Sequence, residues 1–249
     1  MREFVSLNNK NIRLWFLMSF QAGAINAGAF LACKSFATHT TGFATLFGVG
    51  FAQGHYFEAF GMLTVPLFFL LGSMITARFV ELPLSEGHPP DYRIPCAIII
   101  ASLLLTMGLG LGGYFGAYLD QVFGSRDFIL LILLCLASGL QNALASNGKG
   151  TMIRTSHMTG NTTDLAVSLV RIFYAKQFNI KYTRDWRITN TRAGIIICFI
   201  LGSLASAYFF QAVHYFGFLL PLMSAVYLYY ALSHQRDYHV YPRPQNPHI

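Results

Sequence analysis

Six runs of mostly apolar residues, at 14–33, 59–80, 94–115, 128–147, 193–213 and 216–233, punctuate the chain. Each has close to the roughly 20 residues that an α-helix needs to cross the hydrocarbon core of a bilayer. The last two are separated only by His214 and Tyr215, which predicts a tight reversal. Two further segments fit less well, because 40–53 is apolar but short and 159–173 is amphipathic. Each opens on Thr-Gly, where Thr can cap a helix start and Gly lets backbone approach closely. Both are therefore predicted as short helices that begin at their motif and present first-turn amides, which attract an anion or a polar group. The polar stretches 81–93 and 174–192 read as connecting loops, and the proline-bearing tail from His234 as disordered.

The two short segments carry the same pattern. His39-Thr40-Thr41-Gly42-Phe43-Ala44-Thr45 and His157-Met158-Thr159-Gly160-Asn161-Thr162-Thr163 share the order His, any residue, Thr, Gly, two residues, Thr. Their flanks repeat too. Upstream, Gly23-Ala24-Ile25-Asn26-Ala27 parallels Gly139-Leu140-Gln141-Asn142-Ala143; downstream, Leu71-Gly72-Ser73 parallels Leu201-Gly202-Ser203. Three matches in one order predict a single membrane domain, 1–249, made of a duplicated half at 1–120 and another at 121–249. Re-entrant or interfacial motif helices would give each half three spans and invert the second half. Fully crossing ones would give four and leave the halves parallel. Asp164 and the shortness of both segments favour inversion.

Composition agrees with a bilayer. Apolar residues make up 54% and charged residues 11%, the mean hydropathy is +0.48, and soluble domains carry about 25% charged residues. The charges are uneven. Arg2, Lys10 and Arg13 precede the first span, eight basic residues lie between the fourth and fifth, and the opposite face keeps only Lys34 and Arg126. Positive loops stay cytoplasmic, which places both termini of a six-span chain inside, in a bacterial inner membrane. The net charge of +7 then reflects topology and anionic lipid at 171–192 rather than nucleic acid. A signal peptide is a poor reading of the first run, since its apolar stretch is long and its Gly23 and Asn26 belong to the repeat. Cys33, Cys96, Cys135 and Cys198 all sit in apolar segments without metal-ligand spacing.

Gly139 to Ala143 together with His157-Met158-Thr159-Gly160-Asn161-Thr162-Thr163-Asp164-Leu165 resemble the YoaK family of small bacterial inner-membrane proteins. Gly23 to Ala27 and Thr41-Gly42 share in the likeness. The resemblance implies an all-α polytopic fold and a bacterial membrane but no activity. The family pattern commonly has an acid where Asn26 stands and an Asn where Phe43 stands, so a proton-coupling acid is not carried onto Asn26.

Gln21, Asn26, Gln141 and Asn142 fall inside spans, where an unpaired amide is costly, so each must face protein or a polar cavity. The predicted substrate-binding set is Asn26, His39, Thr41, Gly42, Gln141, Asn142, His157, Thr159, Gly160, Asn161, Thr163 and Asp164. Asp164 is its strongest member, the lone acid on its helical stretch. Phe43 and Leu46 answer to Asn161 and Asp164 in the repeat, so the second half is expected to supply most polar contacts and the first an apolar wall. Gly23 with Asn26, and Gly139 with Asn142, each share a helix face and are expected to receive a motif helix. Two His and one Asp are too few for a metal site. No nucleophile elbow, phosphate loop or zinc-protease helix is present, so neither enzyme activity nor a cofactor is expected. These readings converge on a transporter or permease for a small polar solute, with coupling to protons left open. The rival class is a non-transporting scaffold or a subunit of a larger membrane complex, and the oligomeric state stays open.

Overall fold

The computed structural model describes residues 8–115, 118, 126–146, 154–178 and 183–234. Every regular element among them is helical. In chain order they are α1 (Asn9–Cys33), α2 (Thr40–Ala52), α3 (Tyr56–Thr76), a π-helical turn (Ala77–Glu81) leading into α4 (Leu82–Ser85), α5 (Arg93–Leu111), α6 (Asp127–Ser146), α7 (Met158–Gln177), α8 (Thr183–Val213), a 3₁₀ turn (His214–Phe218) and α9 (Leu219–Ser233). The tail beyond His234 and the boundary at 120–121 lie outside the described residues.

Among the described residues, five stretches are long and apolar enough to cross a membrane: Asn9–Cys33, Tyr56–Ser85, Arg93–Leu111, Asp127–Ala145 and Trp186–Ser233. The last spans 48 residues, enough for two crossings of about 20, and it reverses where the sequence predicts. His214 takes a positive φ of 52°, and Gly217 then lies so close to Phe210 that a Cβ there would sit 2.0 Å from its ring. Outward faces are apolar: α3 exposes Leu67, Leu70 and Met74, and α8 exposes Ile197, Ile200 and Leu204. Stripes of that kind at helical spacing are what lipid covers. The chain is an all-α, membrane-embedded polytopic protein.

Local chemistry sets the helix ends. Asn8 caps α1 by accepting from the Asn11 N–H at 2.7 Å. Lys34 closes the other end in the left-handed region, φ 54°, donating its N–H to Phe30 O. The connection expected over 174–192 is much shorter, because α7 runs on to Gln177 and α8 begins at Thr183. No Gly or Pro stands between Thr183 and Arg192 to stop the helix, and its first turns dock on the start of α1 where Arg187 donates to Asn9 Oδ1 at 2.9 Å.

Four glycines decide the packing. A Cβ on Gly23 would lie 2.1 Å from Phe199 O of α8, and one on Gly202 2.1 Å from Phe20 O of α1. The α3–α6 pair has matching contacts: a Cβ on Gly139 would lie 2.1 Å from Phe69 O, and one on Gly72 2.4 Å from Leu136 O. In each pair the serine after the second glycine bonds to the first one's carbonyl, Ser203 Oγ to Gly23 O at 3.1 Å and Ser73 Oγ to Gly139 O at 3.2 Å. Small residues that let backbones touch, reinforced by hydroxyl bonds, are how membrane helices associate without a hydrophobic drive. Gly23 and Gly139 therefore receive α8 and α3, not the motif helices expected there.

The contacts also fix direction. Along α1, Phe16, Phe20 and Gly28 meet Gly194, Gly202 and Phe210 of α8 in the same order, so the two run parallel. On α3, Gly61 and Gly72 meet Phe128 and Leu136 to Leu140 of α6, again in parallel. Between α1 and α6 the order reverses: Gln141 donates its amide to Met18 O, while Cys135, earlier on α6, reaches Ala37 O beyond the end of α1 at 3.1 Å. The helices α5 and α9 pack respectively on α6 and α1 and complete the core.

Adding one methyl at these contacts forces whole helices apart. Gly23→Ala and Gly139→Ala are each expected to cost about 1–3 kcal/mol, the usual toll of overpacking. Gly48, with no neighbour within 4 Å, should tolerate Ala without loss. Melting temperatures in detergent check this, and a Gly139→Ala protein as stable as Gly48→Ala would refute it.

Candidate functional site

The segment after α1 turns back along it. Thr38 donates both its backbone N–H and its Oγ1 to Asn26 Oδ1, each at 3.2 Å. Asn26 lies seven residues before the end of α1, about 10 Å down the helix. The first motif helix thus starts at depth, and α2 climbs back as the outer arm of a hairpin with α3, Phe47 and Phe51 packing on Phe60. With 13 residues, α2 is about 20 Å long and cannot cross a core of about 30 Å. The second motif repeats the arrangement. Ser156 Oγ donates to Asn142 Oδ1 at 2.9 Å, and α7 starts there before pairing with α8.

Both helices begin where the motif predicts, but their caps differ from expectation. His39 and His157 occupy the cap positions, neither forms a side-chain cap bond, and neither first turn holds an acid. Thr40, Thr41 and Thr159 lie inside the first turns instead. The Gly of each motif has a plain steric purpose: a Cβ on Gly42 would lie 2.9 Å from His39 Nδ1, and one on Gly160 2.6 Å from His157 Nδ1. Gly three residues on therefore lets each imidazole fold over its own helix start.

The two starts meet at one cavity of about 410 Å³, within the size range of small-molecule sites. Asn26, Phe36, Thr38, His39, Thr40 and Thr41 line it from one motif, and Ser156, His157, Met158, Thr159 and Phe199 from the other motif and α8. The polar share is larger on the first side, opposite to the asymmetry expected from Phe43 and Asp164. Phe43 is buried away from the lining. The two imidazoles have different neighbours: His39 meets Phe36 edge-on at 6.2 Å, and His157 Nδ1 lies 3.5 Å from Arg154 Nη1.

Of the predicted set, Asn26, His39, Thr41, His157 and Thr159 line the cavity. The others serve it or hold helices. Gly42 and Gly160 seat the imidazoles, and Asn142 anchors Ser156. Asn161 is buried and donates to Arg154 O, whereas Thr163 bonds back to Thr159 O within its helix at 3.1 Å. Gln141 ties α6 to α1. Asp164 lies outside the lining, paired with Arg192 of α8 at 3.0 Å. Arg192 also donates to Ser168 Oγ at 2.7 Å, which makes the cluster a clasp between α7 and α8. Thr38 and Ser156, absent from the predicted set, are what fix the motifs; the available signal was a hydroxyl residue directly before each His. Among the described residues no three His, Cys, Asp or Glu side chains gather as a metal site would require.

The model of a family described as a protein of unknown function, DUF1275, matches residues 14–232. The chain belongs to this family. The match runs from within α1 into α9 and takes in both motifs, in agreement with the resemblance to YoaK proteins. No curated protein and no solved structure matches the chain.

The clasp has a measurable consequence. Its carboxylate is half exposed, so the pair is worth little more than a surface ion pair, and Asp164→Asn should cost about 1 kcal/mol. A double-mutant cycle with Arg192→Gln in thermal melts should show coupling of similar size. Additive effects of the two substitutions would exclude the clasp.

Proposed function

We propose that the chain is a bacterial inner-membrane permease for a small polar solute, built from two inverted halves whose motif helices enter from opposite sides and meet at the central cavity. The observation that carries this reading is the convergence of two uncapped helix starts on one cavity, reached along α1 and α6, which run in opposite directions. Interrupted helices with their N-termini at mid-depth are how many transporters build a solute site, because unpaired backbone is tolerated only where it faces protein or a hydrated cavity. The ordered sequence matches and the paired glycine contacts support a duplication, with α1, α2 and α3 answering to α6, α7 and α8.

Orientation follows from charge. Lys10 and Arg13 stand at the start of α1, and Arg187 and Arg192 at the start of the parallel α8. Both starts belong on the cytoplasmic side, facing anionic lipid headgroups. His39 and His157 are the titratable groups lining the cavity, so any coupling to protons runs through them rather than through Asp164.

Two measurements test the reading. In a background with the native cysteines replaced, His55→Cys and Arg126→Cys should be labelled by an impermeant thiol reagent from outside, and His88→Cys only after permeabilisation. Labelling of His88→Cys from outside would refute the topology. In proteoliposomes the wild type should pass small solutes such as glycerol or succinate faster than empty vesicles, and Thr41→Trp or Thr159→Trp, which fill the cavity, should reduce the flux to that of empty vesicles. Equal flux with and without the protein for every solute tried would point to the scaffold reading.

A further inference from the structure

Gln21 of α1 and Gln141 of α6 are each at most 1% exposed, and each donates its amide N–H to a backbone carbonyl of another helix, Pro221 O at 3.0 Å for Gln21 and Met18 O for Gln141. A carbonyl can only accept, so the orientation of both amides is settled. The end left over on each side chain is an oxygen, and among the described residues no donor reaches either Gln21 Oε1 or Gln141 Oε1. Both side chains line one cavity of about 10 Å³, walled otherwise by Cys96 of α5 and by apolar side chains of α5, α6 and α9. None of its lining residues is more than 3% exposed. Its size is that of about one water-sized sphere on the same measure, and a buried water needs two to four polar partners.

We propose that this cavity is a binding site for a single water molecule, which bridges α1 to α6 by donating one hydrogen to Gln21 Oε1 and the other to Gln141 Oε1. Both donors of the water and both orphan acceptors are then used, and the Cys96 thiol is a weak donor to the water's own oxygen. Buried amide oxygens without a donor are costly in a low-dielectric core, and an internal water is the smallest group that answers two at once. A hard cation is a poor occupant, because it takes about six oxygens and this wall offers two. The site lies apart from the cavity between the motif helices, with which it shares no lining residue. It does not depend on whether the chain passes a solute. Its place on α1 and α6 makes it a joint between the two helices whose Asn26 and Asn142 hold the motif segments.

The experiment is a structure of the purified full-length protein at a resolution that shows ordered water, joined to thermal melts of Gln21→Met, Gln141→Met and the double variant. One density peak at hydrogen-bonding distance from both Oε1 atoms, about 2.8 Å, is expected in the wild type. Each Met variant leaves the other oxygen short of its bridge, so the double variant should lose clearly less melting temperature than the two single losses added together. The bonds to Pro221 O and Met18 O disappear equally in single and double variants and cancel in that comparison. Melting temperatures should also match in sodium chloride and in choline chloride of equal ionic strength. No peak between the two oxygens, strictly additive losses, or a melting temperature that rises with sodium and a peak at ion-ligand distance would each overturn the proposal. Should the Met variants fail to fold, the wild-type density and the salt comparison decide it.

Discussion

Contact between helix backbones at four glycines is the constraint on which the rest of the structure depends. Gly23 and Gly202 hold α1 on α8, and Gly72 and Gly139 hold α3 on α6, each at a separation that leaves no room for a methyl. Within lipid there is no gain from hiding apolar surface, so association rests on close packing and the hydroxyl bonds that such packing permits. Both pairs join an early helix of the chain to a late one. The fold is therefore an exchange of partners, and α2 and α7, which pack chiefly on α3 and α8 respectively, are left free to begin at depth.

Polar groups inside the membrane divide by depth and partner. Gln21 donates to Pro221 O at 3.0 Å and Gln141 to Met18 O, so each amide ties one helix to another. Asn26 and Asn142 act differently, since each accepts from the hydroxyl residue just ahead of a motif His and so sets the height at which a motif helix starts. Similar side chains thus serve as glue at one level and as positioning groups for a cavity at another. The difference arises from what the chain brings opposite them.

Periodicity and composition made the six apolar runs, the reversal at His214 and the starts of both motif helices legible, because each depends on local chemistry. The His-x-Thr-Gly spacing was legible as a repeat but not as a seat for the imidazole, which needs three-dimensional knowledge of the first turn. Asp164 looked like a site acid because its partner, Arg192, is 28 residues away and reads on its own as part of a basic loop. Gly23 looked like a seat for its neighbouring motif helix, whereas its contact comes from α8, far along the chain. What escaped the sequence was partner choice between helices far apart in the chain.

The same cross-pairing lets the two motif helices start without side-chain caps. Each motif helix is short or amphipathic, starts without a cap and contains no first-turn acid, an arrangement that costs stability in an isolated helix. A chain selected only for packing would place Asp or Ser at those caps. Here the cap positions hold His, the following Gly makes room for its ring, and the nearest acid on α7 is drawn to Arg192 at 3.0 Å. Stability is supplied chiefly by the glycine contacts, and at the helix starts by short backbone bonds, Gly42 N–H to His39 O at 3.0 Å and Met158 N–H to Ser156 O at 3.2 Å.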